Sequence, residues 1–484
     1  MIRRWYEIIT INIYYLGLST VSQTLAPLVL PLLTQEFVGD ARKATYYGTL
    51  RLWGLMVALL AQALWGMLSD RSRLRWGRRR PFIFLGTLLD LVFIAGIAFS
   101  AGMSGVNGFW FMFAMYLLLQ LTVNIGHGAL QGLIPDLVPE AQRGRYSAVK
   151  AVFEIPLPTI LVSFTIGRMI AKGNTLGGIV VMSAVLVLTM ALTLFTREER
   201  YEAALPPLDW TPFVRLVSMT AVFTLLILGL GGLVRLLGTA LSSMDLSATA
   251  LIGAMSGAGL LAMTAAIALG VWTCARISLP DAPPQQRQTY IWWIVNRLGM
   301  LTSATNLSTF AVYFLQARLN LERQAAAKPA AQLLMFIGIA ILIFAVSGGW
   351  LADRFGRKRM VFISGLTATL GTVVVLVLPN LALIYVGGAI LGAALGLFYT
   401  ANWALGTSLV PREQAGRYLG IANLAGAGAG AVGAYIGGPI ADYFTTYLPT
   451  YPGIGYIILF ALYGTLFILS TLALIPIREP EAQG

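Results

Sequence analysis

Long apolar runs alternate with short polar loops along almost the whole chain, and the runs are long enough to cross a membrane. A spanning helix needs about 20 largely apolar residues. Six such runs precede residue 200 and six follow residue 289. The predicted helices cover residues 8–33, 46–68, 82–101, 108–134, 147–171 and 176–196, and then 290–317, 332–352, 360–379, 381–408, 418–441 and 454–476.

The middle of the chain departs from this six-plus-six pattern, because two further apolar runs lie at about 213–238 and 246–275. The pattern predicts an all-α polytopic membrane protein with 14 helices. It also predicts three parts: an N-terminal six-helix bundle over 1–196, a central linker with two extra helices over 197–289, and a C-terminal six-helix bundle over 290–484. We expect the extra pair to lie against lipid or a protein partner, and the first helix to be retained.

Two loops rich in arginine repeat one motif. The first, GMLSDRSRLRWGRRRPF, begins at Gly66, and the second, GGWLADRFGRKRM, begins at Gly348. Arginine costs roughly 2.5 to 3.5 kcal/mol at the centre of an inserted helix, and Lys and Arg favour cytoplasmic loops. Both loops are therefore predicted to be cytoplasmic, which requires an even number of helices between them. Fourteen helices satisfy this condition and place both termini in the cytoplasm.

The repeated pattern G-x-L-(S/A)-D-R followed by G-R-(R/K)-R resembles the signature loop of the major facilitator superfamily of transporters. The longer first copy is most similar to the glycoside, pentoside and hexuronide symporters and the sucrose transporters. A second repeat, LVPEAQRGRY from Leu137 and LVPREQAGRY from Leu409, supports a duplicated bundle. The resemblance implies two parallel six-helix repeats with a substrate site between them near the midplane.

The resemblance also implies a gating role for the two loops. In the superfamily, the aspartate that corresponds to Asp70 helps to hold the halves together on the cytoplasmic side, near the start of the eleventh core helix. Asp136, at the end of the fourth helix, is predicted to pair with Arg71 or Arg78. The predicted gating residues are Gly66, Asp70, Arg71, Gly77, Arg78, Asp136, Gly349, Asp353, Arg354, Gly356, Arg357 and Arg417.

Polar side chains inside predicted spans are candidates for solute contact, because they are costly in lipid and normally face a cavity or another helix. In the fourth helix they recur at steps of four, three and four, which places them on one face. Interhelical hydrogen bonding is the alternative. Aromatic rings beside amides would suit a sugar, although such rings also serve as packing. The candidates are Gln120, Asn124, His127, Gln131, Asn296, Asn306, Tyr399, Asn402 and Trp403.

Four ionisable residues lie within or close to predicted spans: Arg51, Asp90, Glu154 and Arg297. A charged aspartate halfway through a membrane helix is expensive without a cation nearby. Asp90 is therefore predicted to carry a coupling proton, with Glu154 as the alternative carrier. If an arginine reaches Asp90, the residue becomes structural. A salt bridge between Glu154 and Arg297 is the competing interpretation of that pair.

Composition narrows the choice of function. Hydrophobic residues make up 57% of the 484 residues and charged residues 11%, against about 25% charged in soluble domains. The net charge of +13 comes from short clusters beside apolar runs, which indicates contact with anionic lipid and not with nucleic acid. One histidine and one cysteine do not make a metal site. The stretch GAGAVG from Gly428 matches a dinucleotide motif but lies in an apolar run, so close helix packing is predicted instead and no cofactor is expected.

The sequence thus predicts a non-enzymatic secondary transporter in a bacterial cytoplasmic membrane. It would move a small solute, such as a sugar or glycoside, by alternating access together with a proton or another cation. Two alternatives share this fold. One is a transporter of a lipid or drug with a more apolar cavity. The other is a scaffold that assembles photosynthetic pigment complexes and uses His127 on a chlorin.

Overall fold

The apolar runs form long helices in the computed structural model, which describes residues 6–198, 209–279, 282–377, 379–409, 415–451 and 453–477; side chains are described for these residues except 415–420. The helices are α1 (Glu7–Val38), α2 (Lys43–Ser69), α3 (Arg80–Ser100), α4 (Gly105–Leu137), α5 (Glu140–Ala171), α6 (Thr175–Leu194), α7 (Thr211–Ser242), α8 (Ala248–Ser278), α9 (Pro284–Thr309), α10 (Ala311–Leu319), α11 (Ala327–Phe355), α12 (Arg357–Val377), α13 (Leu381–Leu409), α14 (Ala415–Tyr447) and α15 (Ile454–Leu472).

Thirteen of these helices are each long and apolar enough to span a membrane within the described ranges, and α9 with α10 forms a fourteenth span bent by 58°. The predicted count of 14 agrees with these 13 to 14 candidate spans. The bend falls at Phe310, between the two helices. Two other spans are irregular without a sharp bend, because α1 contains a π-helical turn at Leu25–Val29 and α5 contains one at Val162–Ile166.

Several helices are longer than the apolar pattern predicts. Helix α5 begins at Glu140, directly after Pro139, and not near residue 147. The end of α4 extends past Pro135 to Leu137. There Arg143 donates hydrogen bonds to the carbonyl oxygens of Pro135 and Val138. Such donors satisfy carbonyl groups that lack a partner at a helix end, so polar residues can continue a helix beyond its apolar part.

Two compact units divide the chain, and both are discontinuous in sequence. The first contains residues 1–37, 57–213 and 323–335, and the second contains residues 38–56, 214–322 and 336–484. The boundary between units therefore falls within α2 and within α11. The division into two six-helix bundles and a linker stays a prediction, because it rests on the sequence repeat and not on these contacts.

In the first unit, small residues let α3 and α4 pack closely. A Cβ on Gly86 would lie 2.8 Å from the backbone nitrogen of Gly126, which leaves no room for a side chain. Tyr14 of α1 reaches the same layer, where its hydroxyl lies 2.7 Å from Thr87 Oγ1. The buried face of α3 that includes Thr87 and Asp90 is thus held against α1 and α4.

In the second unit, α14 is largely buried, and its glycine-rich sequence allows neighbours to approach its backbone. A Cβ on Gly433 would overlap the side chain of Asn306, whose Nδ2 donates to Ala429 O at 3.2 Å. Tyr463 of α15 donates to Gly433 O at 2.9 Å from another side. The GAGAVG stretch is therefore a packing surface, as the sequence predicts.

The two extra helices, α7 and α8, also belong to the second unit. Phe223 of α7 occupies the space that a side chain on Gly270 of α8 or on Gly428 of α14 would fill. Their other faces expose large apolar residues, including Leu225 and Leu261. An apolar exposed face suits lipid, and a protein partner at these helices stays a prediction.

Candidate functional site

The first arginine loop is organised by Arg79, the residue that precedes α3. Its side chain is only 4% exposed. Its Nε donates to Asp136 Oδ2 at 2.8 Å, its Nη1 donates to Ser69 Oγ at 2.6 Å, and its Nη2 contacts the carboxylate of Asp70. One guanidinium thus joins the ends of α2 and α4 to the start of α3. Charge-assisted bonds of this kind are roughly twice as strong as neutral ones.

Asp136 forms an ion pair with Arg78, one of the two predicted partners, but Arg79 makes the shorter contact with it. Arg78 lies farther away, with Nη1 3.7 Å from Asp136 Oδ2 and Nη2 3.6 Å from Asp70 Oδ1. From the sequence alone, any of the three consecutive arginines at 78–80 could contact Asp136. Only the position of the start of α3 decides which of them faces Asp136.

Glu198, which follows α6, caps the start of α3 and was not singled out by the sequence. Its Oε2 accepts the backbone N–H of Arg79 at 2.8 Å. Gly77 has φ +113°, and a side chain there would overlap the Glu198 carboxylate. Burial raises the pKa of Glu198 above its usual value, whereas the backbone N–H groups of Arg79 and Arg80 act in the opposite direction. Gly77 is therefore required both by its backbone conformation and by the carboxylate beside it.

The second arginine loop has the same sequence motif but different contacts. Arg357 Nη1 donates to Ala404 O at 3.2 Å, and Lys358 Nζ donates to Ile477 O at 2.6 Å. Backbone carbonyl groups thus replace the carboxylates of the first loop. The repeat that aligns Leu137 with Leu409 explains the difference, because it aligns Asp136 with Ser408, which carries no charge.

The other predicted gating residues occupy varied positions. Asp353 and Arg354 are exposed, and the Arg354 guanidinium lies 5.2 Å from the ring centroid of Trp350. Gly66 allows close packing, since a Cβ on Gly128 would lie 2.8 Å from its nitrogen. Gly349 has open space around it, and Gly356 adopts φ +93°. The side chain of Arg417 lies outside the described residues, so the predicted position of Asp70 near it stays a prediction.

The polar face of α4 is divided into two parts. Asn124 is buried and donates to Gln120 O on its own helix at 2.7 Å, while Gln120 Nε2 donates to the Tyr116 hydroxyl at 3.2 Å. His127 Nε2 lies 3.4 Å from Gln131 Nε2, and Gln131 is exposed. His127 and Gln131 thus remain the better candidates for solute contact.

Tyr15 of α1 brings His127 together with charged residues of α5. The Tyr15 and His127 rings meet edge to face with centroids 6.3 Å apart. Lys150 Nζ lies 4.6 Å from the Tyr15 ring centroid and 3.7 Å from Glu154 Oε2. The structure therefore pairs Glu154 with Lys150, and the competing interpretation of a pair with Arg297 stays a prediction.

A second polar cluster in α9 and α13 surrounds Arg297; we call Trp293, Asn296, Arg297, Tyr399, Asn402 and Trp403 the Arg297 cluster. Arg297 Nη1 donates to Asn402 Oδ1 at 2.9 Å. Its guanidinium carbon lies 5.4 Å from the ring centroid of Trp403 and 6.0 Å from that of Trp293. Trp403 is 41% exposed and Tyr399 is 39% exposed. A cation, amides and accessible rings are thus grouped within one unit.

Asn306 does not join this cluster. It is fully buried, and its Nδ2 donates to the carbonyl oxygens of Thr302 and Ala429. These bonds tie α9 to α14, so the side chain serves helix packing.

Asp90 is fully buried between α3 and α4. Its Oδ1 accepts a hydrogen bond from Thr122 Oγ1 at 2.6 Å, and its Oδ2 has no hydrogen-bond partner within the described part of the chain. Arg51 is also buried, but it lies in the part of α2 that belongs to the other unit.

A buried ionic cluster that the sequence did not indicate lies at the start of α2, the end opposite the first arginine loop. Lys43 Nζ bonds to Asp40 Oδ1 at 2.8 Å and to Gln316 Oε1 at 3.1 Å, and it lies 4.9 Å from the Tyr313 ring centroid. Beside it, Asp442 of α14 accepts the backbone N–H groups of Ala44 and Thr45. This cluster joins a helix of the first sequence repeat to helices of the second.

A model of the Major Facilitator Superfamily matches residues 12–302 and 292–484, which together cover almost the whole chain. The chain belongs to the Major Facilitator Superfamily. The resemblance predicted from the two arginine loops is thereby confirmed, and the protein is an integral membrane protein of a family of transporters, not of enzymes.

Two relatives in the superfamily match parts of the chain. The inner membrane symporter YicJ of Escherichia coli (strain K12) is 31% identical over 172 residues, which are 34% of this chain and 37% of YicJ. The minor myo-inositol transporter IolF of Bacillus subtilis (strain 168) is 36% identical over 94 residues, 19% of this chain and 21% of IolF. The matches thus span about a third and a fifth of these relatives.

Solved structures share the fold over nearly the full length. A D-xylose-proton symporter has a TM-score of 0.63 and 15% identity, with 99% of this chain and 98% of that chain covered. A POT peptide transporter in complex with sulfate has a TM-score of 0.65 and 16% identity, with 98% and 95% covered. These superfamily structures support the predicted architecture at the level of the fold.

Proposed function

We propose that this protein is a secondary active transporter that moves a small polar solute of the sugar or glycoside class together with a proton, by alternating access. Support for this class comes from partial matches to a symporter and a myo-inositol transporter. It also comes from the fold that the chain shares with a D-xylose-proton symporter. One fold serves many solutes, so the argument depends on the site residues.

The observation that carries the proposal is the environment of Asp90. The carboxyl group is fully buried, one oxygen is bonded to Thr122, and the other has no hydrogen-bond partner among the described residues. A buried carboxylate without a cation is costly, whereas a neutral carboxyl group can remain there. Asp90 is therefore suited to bind and release a proton as its surroundings change during transport.

We assign solute contact, within each unit separately, to polar and aromatic residues that are exposed or half-buried. Trp403 and Tyr399 offer ring faces that can stack on the apolar face of a sugar, and His127 and Gln131 offer hydrogen-bonding groups. Amides that are already paired, such as Asn124 and Asn306, instead support the helices that carry these residues.

Gating is assigned to contacts at opposite ends of α2. At the arginine-loop end, Asp70, Arg78, Arg79 and Asp136 form an ionic network. At the first residues of α2, the Lys43 cluster joins this helix to α10 and α14. Alternating access requires contacts of this kind to form at one end and break at the other.

Uptake by proteoliposomes with an imposed proton gradient tests the proposal. The solutes would include myo-inositol, D-xylose and methyl glucosides. We expect gradient-driven accumulation of at least one solute, abolished by a protonophore. Failure of every solute to accumulate would contradict the proposal, and pigment copurifying with such an inactive protein would favour the scaffold alternative.

A further inference from the structure

A groove of about 940 Å³ lies in the second unit, where α12 begins and the chain leaves α15. Its lining includes the basic residues Lys358 and Arg359, and its other side chains are apolar. Three of these apolar residues, Phe362, Ile363 and Ile475, are exposed. A groove that combines cations with accessible apolar walls suits a ligand with a charged part and an apolar part.

The two arginines in the first turn of α12 differ in their partners from those of the first arginine loop. In that loop, Asp70 and Asp136 lie against Arg79. In α12, Arg357 donates to a backbone carbonyl group, and Arg359 is exposed. Within the described ranges, no carboxylate lies at ion-pair distance from either of these two guanidinium groups. An anion from outside the chain can therefore compensate the positive charge at this end of α12.

Lys358 fixes the two walls of the groove relative to each other. Its Nζ donates to Ile477 O at 2.6 Å and to Ile475 O at 3.3 Å. Both carbonyl groups belong to the segment after α15, which is anchored by Leu474 and Ile477, each 1% exposed. The groove is therefore formed by the protein itself, before any ligand arrives.

An apolar stripe leads away from Arg359 along the exposed face of α12, and we call it the α12 stripe. Its residues follow Arg359 at steps of four, three, four, three and four, the spacing of one helix face. They are Ile363, Leu366, Leu370, Val373 and Val377, and each is exposed. At 1.5 Å per residue, Leu370 lies roughly 16 Å along the helix from Arg359, which is half the thickness of a hydrocarbon core of about 30 Å. The stripe up to Leu370 thus matches the length of an acyl chain in one leaflet.

We propose that the groove binds an anionic phospholipid such as phosphatidylglycerol, with its phosphate against Arg359 and Lys358 and one acyl chain along the α12 stripe. A guanidinium group matches phosphate oxygens in geometry and charge. A zwitterionic lipid carries its own cation, which the basic residues of this turn would repel, so the site favours a headgroup with net negative charge. The general attraction of basic loops to anionic lipid becomes a defined site here, because the cations and the apolar wall have fixed positions.

Fluorescence quenching by spin-labelled lipids tests the proposal beside the groove. Leu472→Cys, at an exposed position one turn before Ile475, would carry a bimane label in a Cys274→Ala background. The full-length protein would be placed in phosphatidylcholine nanodiscs that contain a small fraction of spin-labelled phosphatidylglycerol or of spin-labelled phosphatidylcholine. We expect phosphatidylglycerol to have an association constant about fivefold higher, the effect of one cation near an anionic surface. Raised salt should reduce this difference.

A matched label tests whether the preference is local to the groove. Phe195 is exposed directly after the end of α6, as Leu472 is exposed at the end of α15. Glu198 beside it contacts Arg79, so this label lies next to the first arginine loop. Phe195→Cys with the same bimane label should show a clearly smaller preference for phosphatidylglycerol.

Variants assign the preference to one side chain. Arg359→Gln should reduce the ratio of the two association constants to about one, since it removes the cation that the phosphate contacts. Arg359→Lys keeps the charge and should keep most of the ratio. Arg276→Gln is the matched control, because it removes one exposed charge from the last turn of α8 and leaves the groove intact. Circular dichroism would verify that each variant is folded.

The proposal is overturned if both lipids quench the Leu472 label equally, or if a folded Arg359→Gln variant keeps the preference. Equal preferences at the Leu472 and Phe195 labels would indicate a diffuse attraction to the whole surface and would also overturn it. Residues 478–484 follow Ile477 in the sequence, and a variant without them tests this segment as the occupant. A preference that is seen only in the truncated variant would assign the groove to this segment and not to lipid.

Discussion

The carboxylate of Asp442 caps the N-terminus of α2, accepting hydrogen bonds from Ala44 N at 3.1 Å and Thr45 N at 2.7 Å. The first N–H groups of a helix have no partner within it, and the helix dipole favours an anion there. In this protein the anion comes from α14, 398 residues later in the chain. The start of α2 is therefore fixed by a tertiary contact.

Asp442→Asn should loosen this end of the second unit. The amide keeps one acceptor but loses the charge and the second acceptor, at a cost of about 1 kcal/mol or about fivefold in the opening equilibrium. A cysteine at the fully buried Ala311, in a Cys274→Ala background, would report the change as faster labelling by a membrane-impermeant maleimide. Asp40→Asn, at a carboxylate that is 71% exposed, is the control. Unchanged labelling in Asp442→Asn would show that the contact of Asp442 with Ala44 and Thr45 does not keep this end of the unit closed.

Arg79→Gln should destabilise the protein more than Arg78→Gln does. Arg79 is the less exposed side chain, at 4% against 20%, and it makes the shorter contact with Asp136. Loss of a charged hydrogen bond costs about 1.5–3 kcal/mol. Thermal unfolding of the two purified variants compares them directly. An equal or larger loss in Arg78→Gln would show that the contacts of Arg79 do not dominate the loop.

Glu198→Gln should change how stability depends on pH. Because burial raises the pKa of Glu198, the folded protein binds the proton more tightly than the unfolded chain. This group's contribution to stability therefore falls as pH rises from its ordinary pKa of 4.5 to its raised value in the folded protein. Thermal melts across this range should show the fall in the wild-type protein and a flatter profile in Glu198→Gln. Glu140→Gln, at an exposed site in α5, should keep the wild-type slope; a slope retained in Glu198→Gln would assign it to another group.

Asp90→Asn mimics the protonated carboxyl group and should separate coupling from solute movement. We expect loss of proton-driven accumulation with retention of solute exchange between equal pools. Proteoliposomes loaded with labelled solute measure both activities in one preparation. Glu154→Gln is the comparison, since Glu154 already pairs with Lys150. Wild-type accumulation in Asp90→Asn would show that Asp90 does not carry the coupling proton and would leave Glu154 as the alternative carrier.

Several features of this protein were predictable because they follow local rules. The length of the apolar runs predicted the membrane spans, and the two repeated arginine loops indicated the superfamily. Helical spacing placed Asn124 and His127 on one face of α4, but spacing does not reveal that Asn124 bonds to Gln120 on its own helix. The motif likewise did not distinguish Arg78 from Arg79, because this depends on where α3 begins.

Contacts between residues that lie far apart in the chain could not be predicted from the sequence. Lys43 belongs to a polar loop by composition, yet it is buried by Tyr313 and Gln316 of α10. Glu198 lies in a polar segment that has the composition of a linker. It caps the start of α3 only because Gly77 turns the loop toward it. In both cases the local sequence pattern predicts a surface residue, whereas the tertiary structure packs the side chain against a partner.

The distant cap of α2 also sets an order of events during synthesis. At about 5–20 residues per second, the 398 residues between Ala44 and Asp442 take about 20 to 80 s to translate. Throughout that interval the first turn of α2 is already made, while the carboxylate that caps it is not. The final packing at the start of α2 can therefore be completed only after Asp442 of α14 has been synthesised.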